Sequence, residues 1–338
     1  MNSMLPWHRG QWQNLLERLR AGNLPHALLL TGPAGIGKNQ FAIGFVQTLL
    51  CETGAAQGQA CGQCRSCLLY AAENHPDRRM VSPPEPGKVI GVDQVREVSR
   101  YLSHTAQYGG HKVVIITPAD QMNMNAANSL LKTLEEPSSS SLLLLVTDRP
   151  GRLPATILSR CQRLIFTTPT AEEASRWLAE RIDPQMDPEL LLVLAEGAPL
   201  RAVELAESDA LSQRSQILKE LEGLAQGNGN ISAAAEQFLK IGAQQSLYWI
   251  SIWVADMIRH LSCDDDSHIV NRDMRERLLK LANKVELRSL HRHIQQVHEA
   301  MHLAGGQVNP QLLMENVLMS WQETFTPYDS ATIGLGKS

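Results

Sequence analysis

The sequence predicts an α/β domain with a parallel sheet in its first half and wholly helical segments after it. Three observations carry this expectation. Four short apolar runs, at residues 27–31, 113–116, 142–146 and 163–166, are separated by helical patterns, and short buried strands alternating with helices build a parallel sheet covered on its faces. The first run leads through a glycine-rich turn into an apolar-periodic stretch. Beyond Thr167 no strand-like segment is evident, and a helical period takes over.

In chain order, the strand at 27–31 and its glycine-rich turn precede a helix at 41–50. Helices are expected at 92–102 and 123–134, the second starting among asparagines and stopping before Pro137. The strand at 113–116 follows the turn Tyr108-Gly109-Gly110, that at 142–146 a serine loop at 138–141, and that at 163–166 the turn Ser159-Arg160-Cys161. The helical part then reads 171–182, 188–196, 200–206, 211–225, 231–241, 245–261, 273–285, 287–303 and 310–325. Changes of character at about 167 and about 208 divide the chain into three parts. Residues 326–338 are polar and glycine-bearing, and 329–338 are expected to be a disordered tail.

A length of 338 residues suits two or three domains. With 43% hydrophobic and 20% charged residues the chain can bury real cores. Lys and Arg number 31 against 35 Asp and Glu, a net charge of −4, which argues against a domain whose main affinity is for nucleic-acid phosphates. No apolar run approaches the roughly 20 residues needed to span a bilayer, and the first ten residues lack the apolar stretch of a signal peptide. A cytoplasmic protein with reduced thiols is expected, so its six cysteines read as chemistry and not as a disulfide framework.

Gly32-Pro33-Ala34-Gly35-Ile36-Gly37-Lys38 fits the phosphate-binding loop G-x-x-x-x-G-K between a strand and a helix. Its glycines let backbone N–H groups turn toward a polyphosphate, and Lys38 adds positive potential. The next position, where Ser or Thr ligates Mg²⁺, is Asn39. At the end of the strand 113–116, where an Asp holds the metal and a Glu positions water, stand Thr117 and Pro118, with Asp120 displaced beyond the proline. The expected state is a degenerate loop (Gly32, Gly35, Gly37, Lys38, Asn39) kept as a tight turn, with no ATP/Mg²⁺ turnover. The alternative is an ATP-hydrolysing motor that uses Gly32–Lys38 itself.

Cys51, Cys61, Cys64 and Cys67 have the spacing C-x9-C-x2-C-x2-C, which suits four thiolates on one tetrahedral Zn²⁺ in a closed, structural site. An iron–sulfur cluster is the rival, since C-x2-C-x2-C also occurs in ferredoxins. Residues 52–60 have no hydrophobic pattern of their own, so a metal would order them. A direct DNA-binding module is disfavoured, Arg65 being the lone cation near the cysteines. Arg160 lies in an inter-strand loop, where a guanidinium matters if another subunit's nucleotide is near. Cys161 and Cys263 stand apart as isolated thiols, and His298 with His302 is an i,i+4 pair with nothing to complete a metal site.

Together these residues resemble the delta prime family of bacterial DNA polymerase III clamp-loader subunits, within the AAA+ superfamily, over nearly the whole chain. The resemblance rests on Leu24-Pro25-His26-Ala27 before the loop, the four cysteines, His75-Pro76-Asp77, Val92-Asp93-Gln94-Val95-Arg96, the run from Asn128 through Leu-Leu-Lys-Thr-Leu-Glu-Glu to Pro137, Ser159-Arg160-Cys161, and Asn309-Pro310-Gln311-Leu312. It implies a RecA-like AAA+ domain (1–167) carrying a zinc module (51–67), a helical lid (168–208) and a helical collar (209–328). It also implies a rigid, non-hydrolysing stator in a five-subunit ring with delta and gamma or tau, which places the sliding clamp on primer-template DNA, with no membrane contact. Arg160 would be a finger toward a neighbour's ATP, and Arg201 matches the lid's nucleotide-sensing arginine.

Overall fold

A computed structural model describes residues 4–85, 87–108, 110–138, 140–263, 269–304 and 308–325; the expected tail lies wholly outside these residues. The chain forms two compact units, Met1–Glu180 with Gly197–Arg201, and Arg181–Glu196 with Ala202–Ser338. Among the described residues no helix is long and apolar enough to cross a membrane.

The first unit runs α1 (Arg9–Arg20), β1 (Ala27–Thr31), α2 (Lys38–Leu50), α3 (Gly54–Gln57), α4 (Arg65–Ala71), β2 (Arg78–Val81), α5 (Val92–Leu102), β3 (Lys112–Ile116), α6 (Met124–Glu135), β4 (Ser141–Thr147), α7 (Ala155–Leu158), β5 (Gln162–Ile165) and α8 (Ala171–Ala179). The five strands form one parallel sheet in the order β2-β3-β4-β1-β5, the RecA-like AAA+ arrangement expected. Side chains of a strand alternate between faces, and both faces are covered. Leu28, Leu30, Val113, Ile115, Leu142 and Leu144 pack against α1 and α2 through Trp12, Leu15, Phe41 and Phe45. Ala27, Leu29, Val114, Ile116, Leu143 and Leu145 pack against α5 and α6 through Val95, Val98, Leu130 and Leu134. Burial on two sides is why these strands read as unbroken apolar runs and not as alternation.

β2 and the helices α1, α3, α4 and α7 escape the sequence reading. β2 is an edge strand, Arg-Arg-Met-Val, whose arginines stand over the rings of Tyr70 and Tyr101; edge strands need only part of their surface buried and leave no apolar run. α1 buries Trp12, Leu15 and Leu16 on one narrow stripe, too sparse a signal in a polar segment. Residues 52–60 also differ from expectation. α3 forms within them, held by the Arg20 guanidinium on the carbonyls of Ala55 and Ala56 and by the Trp12 indole on the carbonyl of Gly58, so protein contacts as well as thiols order the segment.

The second unit comprises α9 (Pro188–Leu194), most of α10 (Pro199–Glu207), α11 (Ala210–Ala225), α12 (Ile231–Ile241), α13 (Ala243–Ser262), α14 (Arg275–Ala282), α15 (Leu287–Leu303) and α16 (Pro310–Phe325). α13 packs on α15, and α12 on α16, around the buried Trp249, Trp253 and Trp321. The helix expected at 273–285 is instead a 3₁₀ turn, Arg272–Met274, followed by α14. The cause is a buried polar knot. Arg214 is 0% exposed and its guanidinium donates to Asp273 and Asn271, while Asp256 accepts from the backbone of Val270 and Asn271.

Candidate functional site

The phosphate loop lies between β1 and α2. Gly35 and Gly37 adopt left-handed φ of 71° and 94°, which disfavours a side chain at either, and at Gly32 close packing forbids one. A Cβ at Gly32 would strike the carbonyl of Phe166, one at Gly37 would strike Leu5, and one at Gly35 would come within 3.0 Å of Ala198 and Arg201. The loop's carbonyls are engaged as well. Gly35 O accepts from the Leu200 N–H at 3.0 Å, and Ile36 O from the Trp7 indole at 2.9 Å. Lys38 is 4% exposed, and its ammonium donates to Gly32 O at 2.8 Å and Pro33 O at 2.5 Å while pairing with the Asp148 carboxylate at 2.5 Å.

Around the loop the acidic equipment for a metal is displaced. Asn39 is solvent-exposed at the start of α2. At the end of β3, the Thr117 N–H bonds Val81 O and Pro118 follows. Asp120 sits in a 3₁₀ turn, where its carboxylate accepts from the Thr147 hydroxyl at 2.6 Å. That hydroxyl also accepts from the Arg149 N–H at 3.0 Å, fixing the turn that carries Asp148. Beside the loop, burial and the Lys38 charge push the imidazole of His8 down to about 4.

The four cysteines converge. Cys51 ends α2 and Cys64 caps α4, and all four Sγ atoms lie within 4.8 Å of one another. Cys51 and Cys64 sulfurs are 3.9 Å apart, and those of Cys61 and Cys67 are 4.0 Å apart. A metal–sulfur bond of about 2.3 Å gives tetrahedral edges of about 3.8 Å, so the spacing fits one tetrahedral ion, and this cluster can hold a metal. Backbone N–H groups of Cys61, Cys64 and Cys67 point at the sulfurs of Cys51, Cys61 and Cys64, at 3.3, 3.3 and 3.4 Å. The N–H groups of Gln63 and Cys64 pull the Cys61 thiol down to about 6, which favours the thiolate a metal needs. Cys161 is buried, and burial raises its thiol to about 11. Cys263 is exposed.

Arg160 follows α7 at the surface, its side chain 36% exposed. Its guanidinium pairs with Glu135 at 2.6 Å and donates to Thr156 O at 3.1 Å. Thus the Ser-Arg-Cys turn and the Leu-Glu-Glu-Pro end of α6, far apart in sequence, meet in space. The other motif residues are architectural. His26 bonds Leu134 O at 3.1 Å. His75 joins the Ser66 hydroxyl to the Asp77 N–H, and the Asp77 carboxylate takes the N–H groups of Gln107 and Tyr108. His293, among the histidines of α15, is buried against the Ser320 hydroxyl. Sequence reasoning did not single out Asp148 or Glu135 as site residues; only the fold brings each to its cation.

Comparison with known proteins accounts for most of the chain. Residues 7–170 match the family model described as DNA polymerase III, delta subunit, and residues 208–323 match its C-terminal counterpart. The chain is 36% identical to DNA polymerase III subunit delta′ of Pseudomonas aeruginosa, over 95% of this chain and 98% of that one. With subunit delta′ of Escherichia coli it shares 31% identity over 95% and 96% of the two chains. DNA polymerase III subunit tau of Bacillus subtilis is 30% identical over 70% of this chain and 40% of its own length. This chain belongs to the DNA polymerase III subunit delta′ family.

Proposed function

We propose that the chain is the non-hydrolysing stator of a bacterial clamp loader, a subunit that holds its shape while gamma or tau neighbours turn over ATP. In this reading it joins delta and gamma or tau in a five-subunit ring that opens the sliding clamp and sets it on primed DNA. Residues 1–167 serve as the RecA-like domain, 168–208 as the lid and 209–328 as the collar that assembles the ring. The cysteine cluster holds one structural Zn²⁺, since four thiolates leave no open coordination position for catalysis.

The observation that carries the silent reading is the fate of the acids around Lys38. Phosphoryl transfer depends on a divalent cation bridging the phosphates. Here the end of β3 offers Thr117 and Pro118, and the carboxylate of Asp120 is spent on Thr147. The chain's contribution is then to a neighbour. Arg160 is at the surface and keeps a permanent charge, so its guanidinium supplies positive potential to the ATP of the adjoining subunit. Such a finger is worth on the order of 10³-fold in rate at the site it serves. The test is Arg160→Ala in a complex reconstituted with delta and gamma or tau. Assembly by gel filtration should be unchanged, and the DNA-stimulated ATPase should fall. Full activity in an intact complex would reject the finger.

A second reading, an ATP-hydrolysing motor, is favoured by the intact glycines and Lys38. Mg²⁺-dependent ATP turnover by the isolated chain that disappears in Lys38→Ala would establish it and overturn the stator.

A further inference from the structure

We infer that Asp148 occupies the phosphate seat of the Gly32–Lys38 loop, and that the chain therefore carries a latent, metal-independent site for a polyphosphate, kept closed by its own carboxylate. The inference rests on the silent reading above and extends it to binding, where that reading addresses only turnover.

The loop has kept its shape and lost its free charge. Its conformation is fixed from outside by Phe166, Leu5, Ala198, Leu200 and Trp7, so it needs no bound phosphate to hold the turn. An ammonium has three N–H donors, and those of Lys38 have three partners: Gly32 O, Pro33 O and Asp148. In a phosphate-binding loop this lysine reaches β- and γ-phosphate oxygens; here a carboxylate oxygen stands 2.5 Å from Nζ in their place. Burial strengthens the substitution, because a lysine 4% exposed has little water to replace a lost anion. The carboxylate itself is 46% exposed, so removing it opens the seat to solvent without opening a core.

The turn that carries Asp148 is built for the purpose. Thr147, the last residue of β4, accepts from the Arg149 N–H and donates to Asp120. The acid that lies past β3, displaced from metal duty, thus braces the residue that neutralises Lys38. An incoming polyphosphate meets two obstacles, competition for the ammonium and repulsion by Asp148. Asp148→Asn removes the repulsion and weakens the competition, by taking away the carboxylate charge at nearly constant volume, and Asp148→Ala removes both.

The measurement is calorimetric binding of ATP, and separately of inorganic tripolyphosphate, in EDTA, to the full chain, to Asp148→Asn and to Asp148→Asn with Lys38→Ala. Asp148→Ala serves as a second opening variant, and thermal melting confirms that each is folded. The expected result is at least tenfold tighter binding of both probes by Asp148→Asn, lost in the double variant. Unchanged affinity in both folded opening variants would overturn the inference, as would a gain that survives loss of Lys38. Tightening for ATP alone would also overturn it, since the seat would then be reading the base. Mg²⁺-ATP turnover by the unsubstituted chain would instead sink the stator reading, whatever Asp148 does.

Discussion

Replacing Cys64 with serine should release the metal and loosen a module while leaving the rest of the unit folded. The sulfur edges of 3.9 and 4.0 Å match a closed tetrahedral site, for which binding is worth about 10–16 kcal/mol. Shared among four thiolates, that is about 2.5–4 kcal/mol each, or two to three powers of ten in affinity at about 1.4 kcal/mol per decade. The damage stays local because the module has other anchors. The Ser66 hydroxyl reaches Leu50 O and His75, Arg20 holds α3, and Trp12 holds Gly58. Competition of zinc against a chromogenic chelator reads the affinity, and hydrogen exchange along 51–71 reads the loosening. Thiols must shed protons to bind, so zinc affinity should fall as the pH is lowered and protons compete with the metal for the four sulfurs. Affinity in Cys64→Ser within tenfold of the parent would refute the four-ligand site, and iron with a visible absorption band in purified protein would refute zinc.

Arg214→Ala should destabilise the helical unit by about 3–5 kcal/mol in urea unfolding, because it strands Asp273 and Asn271 without their buried donor. Arg214→Met, which refills the volume but deletes the same donors, should cost nearly as much, and a Met variant as stable as the parent would show that the charge pairing is not what matters. Burial lowers His293 to about 4 against 6.5 in the unfolded chain. The unfolded state therefore takes up a proton first, and stability falls as pH drops from 6.5 toward 4. At pH 5 this amounts to about 2 kcal/mol, and the pH slope of unfolding should flatten in His293→Gln. A parent chain equally stable at pH 7 and pH 5 would contradict the assignment.

How much of this was legible follows from where each signal comes from. β1, β3 and β4 are buried on both faces, so the twelve core positions they supply from Ala27 to Leu145 could be read directly as apolar runs. β2 could not, because an edge strand that stacks its arginines on tyrosines looks polar. The cysteine cluster was legible because ligand spacing is local, a tight turn bringing two thiols to one ion. Ion pairs such as Lys38–Asp148 and Arg160–Glu135 join residues more than 20 positions apart. Charge at one position says nothing of a partner until the strand order places the end of β4 beside β1, and the end of α6 beside the turn before β5.

The survival of the phosphate loop then has a physical explanation that does not involve a nucleotide. Gly32 is required by packing, since the Phe166 carbonyl closes on it, and left-handed backbone at Gly35 and Gly37 excludes most other residues. Lys38 is likewise held by an internal anion and two carbonyls, where an isolated buried ammonium would be costly. Loop and lysine are thus under structural constraint whatever they bind. The metal-ligating positions carry no such constraint. Asn39 is exposed, and Asp120 serves Thr147. On the stator reading proposed above, those positions are free to change first, while the loop keeps a shape the surrounding core demands. On that reading the residues at the end of β3, Thr117 and Pro118, say more about turnover than the glycines after β1 do.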